Sequence, residues 1–376
     1  MIQTSVPFLV EGKAYVPGLP REHVSERYGI PLDDIAKLGS AENPYGASPK
    51  AVEAVNRAIQ TLDIYPDWTA RALRVAIAEK YGFDPDCVVC GAGETEVISM
   101  VIRAFAGPQD TILMHDPCFP IYHIYSKCEG RNPLFVKMGE DFDPVIDQYI
   151  DALATEPRIA FITNPHNPSG RLLDETQLRR ICDAASEKTL VVLDEAYIHY
   201  SETPGSMHLL RDYSNLILLR TFSKAHGLAG LRIGFGVAAD PALVRPLWNI
   251  KPTWNMGNAQ IAGGVAAIND DAHVERAVKT ISEMREYVKT GLESIDAFRM
   301  VPGSRSNFFL LEIIDTRMDS SSVFHGLLQR GVIVKDGRDI AGVGSRHLRI
   351  DFNLQRHMDR LLWALTEIAD VNMVEA

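Results

Sequence analysis

Short apolar, β-rich runs recur between helical patterns along most of this chain, and that alternation restricts the fold more than any other feature. "CVVCGAG" from Cys87 leads into "ETEVISMVIRAF". "DTILMHDP" from Asp110, "RIAFITNP" from Arg158, "TLVVLDEAY" from Thr189, "NLILLRTFS" from Asn215 and "RIGFGVA" from Arg232 continue the series. Such runs between helices mean βα units, so the chain is expected to be α/β, its mostly parallel sheet covered on both faces. After about Gly264 the style changes. A long helical pattern, "DAHVERAVKTISEMREYVKTGLESI", precedes three closer strands, "NFFLLEI", "GVIVK" and "HLRIDF". We expect an N-terminal arm over 1–40 that packs with a smaller α+β domain over 265–376, and a large domain over 41–264. The length, 376 residues, also favours two domains over one.

Nearly half the residues are hydrophobic (46%), which is enough for a large core. The 49 acidic residues outnumber the 38 basic ones, and the net charge of −11 argues against nucleic acid or an anionic membrane as partner. No apolar run reaches the length of a membrane span, and "MIQTSVPFLVEGK" has none of the layout of a signal peptide. Five scattered cysteines, with Cys87 and Cys90 inside a strand-like run, read as core packing in a reducing cytoplasm, not as a metal site.

In open α/β sheets ligands bind outside the carboxyl ends of the strands. Here those ends carry Gly91-Ala92-Gly93-Glu94-Thr95-Glu96, the loop from Asn164 to Gly170, Asp194-Glu195-Ala196-Tyr197, and Thr221-Phe222-Ser223-Lys224. The first loop fails as a dinucleotide fingerprint, since Glu96 stands where a third glycine is needed. A phosphate monoester on backbone N–H groups at a helix start stays open, beside a plain strand-to-helix turn. Asp194 ends a strand buried on both faces, so it should face a cation: an arginine, or a protonated pyridine nitrogen. Lys224 can form a Schiff base with an aldehyde if burial or neighbouring cations lower its pKa. Arg232 would then complete a phosphate grip with its planar fork. Phosphate, pyridinium partner and Schiff-base lysine together describe pyridoxal 5′-phosphate.

With these residues assembled, the chain resembles the fold-type I pyridoxal-phosphate aminotransferases, and among them the histidinol-phosphate aminotransferase family. The resemblance runs from "YVPG" at Tyr15 to "LRIDF" at Leu348. It is carried by "ENPYG" at Glu42, "YPD" at Tyr65, "GAGETE" at Gly91, "NPHNPSG" at Asn164, "DEAY" at Asp194, "TFSK" at Thr221 and "GLAGLRIG" at Gly227. It implies that Lys224 binds the cofactor and shuttles the proton, that Asp194 pairs with the pyridine nitrogen, and that Asn167 and Tyr197 hydrogen-bond the phenolic oxygen. Gly93, Glu94, Thr95, Thr221, Ser223 and Arg232 would surround the phosphate, with Phe119 stacked on the ring. Tyr65 is expected to reach the phosphate in the partner subunit of a homodimer. Tyr15, Asn43, Lys335, Arg338 and Arg349 are the implied substrate residues.

Four positions depart from the family's pattern. Glu94 and Thr95 replace Ser or Ala followed by Asp, His226 replaces phenylalanine, and Lys335 stands where an arginine usually holds the substrate's phosphate. The expected reaction is transamination between an amino donor such as L-histidinol phosphate and a 2-oxo acid such as 2-oxoglutarate. The alternatives are an aromatic amino acid aminotransferase and a decarboxylase of a phosphorylated amino acid. Trp254 is a further candidate, as an aromatic wall for a ring-bearing donor or as a core or interface residue.

Overall fold

The structure, a computed structural model, describes residues 18–374. Seven strands form one sheet in the spatial order Val88–Gly91, Gly234–Ala238, Leu216–Thr221, Leu190–Asp194, Ile159–Thr163, Thr111–Asp116 and Asn132–Lys137. All pairings are parallel except those of Gly234–Ala238, which runs against both neighbours. The expected α/β fold with a mostly parallel, helix-covered sheet is therefore what the chain adopts.

The apolar runs lack a polar face because both faces are core. In Leu190–Asp194 the side chains of Val191 and Leu193 enter one hydrophobic cluster, while Leu190 and Val192 enter another across the sheet. Leu216 and Leu218 alternate with Ile217 and Leu219 in the same way, as the two-residue period of a strand requires. Helices Arg71–Tyr81, Glu175–Ala184 and Asn258–Ile268 cover the first face through Leu73, Ile77, Leu178, Ile181, Ala267 and Ile268. Helices Glu94–Phe105 and Pro241–Ile250 cover the second through Val97, Val101, Val244 and Leu247.

Two features differ from the sequence reading. Asn132–Lys137 is a strand that the apolar runs do not announce: it lies at the sheet edge, mostly solvent-facing, and carries Pro133. "GVIVK", read as one strand, divides at Val334. Val332–Ile333 pairs in parallel with Ala36–Lys37, and Lys335–Asp336 joins a four-stranded antiparallel sheet with His347–Asp351, Phe308–Ile313 and Phe298–Met300. That second sheet shares a core with helices Asp271–Leu292 and Gln355–Val374, through Ile281, Val288, Leu361 and Leu365. Helix Asn258–Ile268 runs through Gly264, with its last residues in the core of the large sheet.

Candidate active site

Asp194 closes the strand Leu190–Asp194 and is almost fully buried. Its Oδ1 accepts from the Ala196 N–H at 2.9 Å, and its Oδ2 accepts a short hydrogen bond from the Tyr122 hydroxyl. Burial pushes its carboxyl up, while these two donors pull it back toward the anion. Tyr122 sits one turn into helix Pro120–Cys128 and also meets Thr163 Oγ1 at 2.9 Å. The sequence reading passed over Tyr122. Its only signal is the spacing in "DPCFPIY", which sets it three residues after Phe119 on a helix start, and a buried tyrosine hydroxyl needs a partner.

Lys224 follows the strand Leu216–Thr221, and its Nζ donates to the Ser40 carbonyl at 3.0 Å and lies 5.3 Å from the Tyr197 ring centre. Burial, with repulsion from Arg349, lowers its amine to about 8. Asn167 lies between two residues: its Nδ2 donates to the Tyr197 hydroxyl at 3.4 Å and its Oδ1 accepts from Arg349 Nη1 at 3.1 Å. The loop that presents it is fixed by Asn164, which bonds both the N–H and the carbonyl of Leu173.

The loop before helix Glu94–Phe105 meets Arg232 and Ser223. Arg232 Nη1 donates to Ser223 Oγ at 3.2 Å, and Thr221 Oγ1 donates to the same oxygen at 3.0 Å. Gly93 has φ of +84° and, being glycine, leaves the helix start without a side-chain cap. A Cβ there would collide with Arg232 Nη2, so only glycine lets the guanidinium lie against the start of the helix. Glu96 closes the loop where a dinucleotide fold has glycine, accepting from the Ala92 N–H at 2.7 Å and from Asn255 at 2.6 Å.

One cavity is lined by Glu94, Thr95, Phe119, Asn167, Asp194, Tyr197, Thr221, Ser223, Lys224, Arg232 and Arg349. The donor set fits a phosphorylated pyridine aldehyde: a helix start with a guanidinium and two hydroxyls for an anion, a buried carboxylate for a ring nitrogen, and an amine beside them. Arg349 Nε, buried without a hydrogen-bond partner, marks spare donor capacity in the cavity wall.

The structure does not bring every expected residue to this cavity. Lys335 is in register with Arg349, but its ammonium is drawn to Asp339 at 3.5 Å, and Arg338 pairs with Asp319; neither lines the cavity. Asn43 is buried behind the cavity, where its Nδ2 donates to the Ala225 carbonyl at 2.7 Å and so steadies the residue after Lys224. Tyr65 is 76% exposed and stacks on Trp254 at 4.5 Å, so neither ring enters the cavity of its own chain. Glu94 does not turn away from the cavity: it is buried, faces Asp194, and is pushed well above the usual carboxylate range by burial and by that neighbour. His226 packs against Phe222 and His199, and burial lowers its imidazole to about 4. Tyr15 lies outside the described residues. No helix among the described residues is long and apolar enough to cross a membrane.

The family model for "Aminotransferase class I and II" matches residues 33–365. The chain is 36% identical over 366 residues to a histidinol-phosphate aminotransferase of Anaeromyxobacter sp. (strain Fw109-5), covering 96% of this chain and 98% of that one. A histidinol-phosphate aminotransferase of Geobacillus sp. (strain WCH70) is also 36% identical, over 363 residues, with 94% and 95% covered. Among solved structures it is similar to the histidinol-phosphate aminotransferase of Sinorhizobium meliloti in complex with pyridoxal-5′-phosphate, with a TM-score of 0.86 over 99% of both chains. At 23% identity that last likeness speaks to the fold alone.

Proposed function

Since this chain belongs to the class I and II aminotransferases, we propose that it moves an amino group between L-histidinol phosphate and a 2-oxo acid such as 2-oxoglutarate. Pyridoxal 5′-phosphate is the cofactor. The observation that carries this reading is the meeting of Asp194, Lys224, Asn167, Tyr197, Ser223 and Arg232 around one cavity.

When bound, the cofactor supplies an aldehyde for the amino group and a ring that takes up electrons. Asp194 holds the ring nitrogen in its protonated form, its own charge kept in place by Tyr122 and Ala196. Asn167 and Tyr197 would hydrogen-bond the phenolic oxygen, and Phe119 would flank the ring. Arg232, Ser223, Thr221 and the first-turn amides of Glu94 and Thr95 hold the phosphate. Lys224 Nζ would hold the aldehyde and, when free, would move the proton at the substrate's Cα. Arg349 takes the donor's anionic group, and its bond to Asn167 ties donor binding to the cofactor's phenolic edge.

Tyr65 completes the cavity of a second subunit in a homodimer, and a cytoplasmic location fits five cysteines that are all free. Histidinol phosphate is favoured as donor by relatives that carry that name at 36% identity over nearly the whole chain. The test is kcat/KM for histidinol phosphate against phenylalanine. A better rate with phenylalanine would replace this reading by an aromatic aminotransferase, and a decarboxylated product would replace both.

A further inference from the structure

We propose that Glu94 is a second, proton-carrying carboxyl of the cofactor site, whose O–H donates to Asp194 and whose ionisation loosens the cofactor. The inference rests on reading the cavity as a pyridoxal-phosphate site. Glu94 opens helix Glu94–Phe105, is only 8% exposed, and lines the cavity with its carboxyl in hydrogen-bonding reach of Asp194. Two buried carboxylates in contact cannot both be ionised, so a proton lies between them. Asp194 already has a donor on each oxygen, from Tyr122 and from Ala196, whereas Glu94 Oε1 is buried with no hydrogen-bond partner. The donors stabilise the anion at Asp194, so the proton resides on Glu94.

The surrounding charges come from four elements. Tyr122 faces the pair from helix Pro120–Cys128, and Asp194 and Glu195 from the end of their strand, Glu195 being held by Arg220. Lys224 and Arg232 pull Glu94 toward ionisation from the loops beyond Thr221; burial and Asp194 oppose them, and burial is the largest influence.

A carboxylate offers about four lone-pair sites. Ala196, Tyr122 and Glu94 use three at Asp194, which leaves one for a ring N–H and shares the charge that holds it. If Glu94 gives its proton to solvent, a second negative charge stands beside Asp194 and next to the amides that hold the phosphate. The charge beside the amides repels the phosphate anion, so a carboxyl here makes cofactor affinity depend on pH in a way a neutral side chain cannot.

Equilibrium dialysis of pyridoxamine 5′-phosphate, which binds without a covalent bond, tests this in wild type, Glu94→Gln and Glu94→Ser between about pH 6.5 and about pH 9.5. Glu94→Gln keeps a hydrogen-bond donor but cannot ionise. Wild-type affinity is expected to fall, relative to Glu94→Gln, by about tenfold for each pH unit beyond the ionisation of Glu94. Glu94→Ser should bind more tightly than wild type and follow the Glu94→Gln profile. Identical profiles for wild type and Glu94→Gln overturn the proposal. If Glu94→Gln fails to fold, judged by its circular-dichroism melt, a wild-type profile in Glu94→Ser does so equally. A wild-type protein that binds the probe at no pH overturns the cofactor reading as well, so the two failures are told apart.

Discussion

Burial lowers the Lys224 amine to about 8; Arg349 adds repulsion, and Asp351 and Glu42 work against both. Only the neutral amine attacks an aldehyde, so below that pH the reactive fraction falls by about tenfold per unit, and above it the fraction levels off. The rate of covalent capture of pyridoxal 5′-phosphate, followed by its absorbance change, should therefore rise with pH, pass half its maximum at about 8 and level off roughly one unit above that. Arg349→Ala removes the repelling cation and should move that plateau upward, whereas a capture rate indifferent to pH would show that Lys224 is not the attacking group. Asp194 and Lys224 stand out in the sequence because each lies at or just beyond the end of an apolar strand, where a charge needs a reason, whereas Asn167 and Tyr197 are picked out by the family resemblance. Tyr122 was not legible there, since a tyrosine on a helix start has too many ordinary uses. Nor could the sequence tell that Lys335 turns to Asp339 and Arg338 to Asp319, because charge spacing does not say which way a long side chain points.

At the scale of elements, what the sequence makes legible depends on burial. The central strands were readable because both faces are core, and the edge strand Asn132–Lys137 was not, because solvent relieves it of any pattern. The division of the run at Val334 depends on partners about 300 residues away at Ala36 and only about 14 away at Arg349, which no local pattern encodes. The junction of strand Val88–Gly91 with helix Glu94–Phe105 is the element on which the proposed phosphate grip depends. Gly93→Ala would force a side chain into a left-handed backbone and against Arg232. Displacing the guanidinium should weaken pyridoxamine 5′-phosphate binding by about tenfold or more, as the loss of one charge-assisted pair implies. Isothermal titration is the measurement. Unchanged affinity in a folded Gly93→Ala variant would mean that Arg232 does not hold the phosphate.

For the whole molecule the question is which surface is shared. Leu62, Ile64, Tyr65, Trp68 and Trp254 all stand more than 45% exposed, and Tyr65 and Trp254 stack on each other outside the cavity of their own chain. Monomers rarely leave such a patch uncovered, and a twofold dimer is the commonest way to cover one. If Tyr65 serves the partner's cavity, two defective chains can complement each other. Lys224→Ala keeps Tyr65 to lend but has no reactive amine; Tyr65→Ala keeps the amine but lends no hydroxyl. In a mixed dimer one cavity would combine the intact Lys224 of one chain with the intact Tyr65 of the other, and the second cavity would carry both defects. Random reassortment then restores about a quarter of the wild-type sites, half the dimers being mixed with one sound site in each. Were Tyr65 to serve its own chain, no mixed dimer would contain a sound cavity, and mixing would recover nothing. The activity of the reassorted mixture at limiting cofactor, compared with each parent alone, decides between the two arrangements.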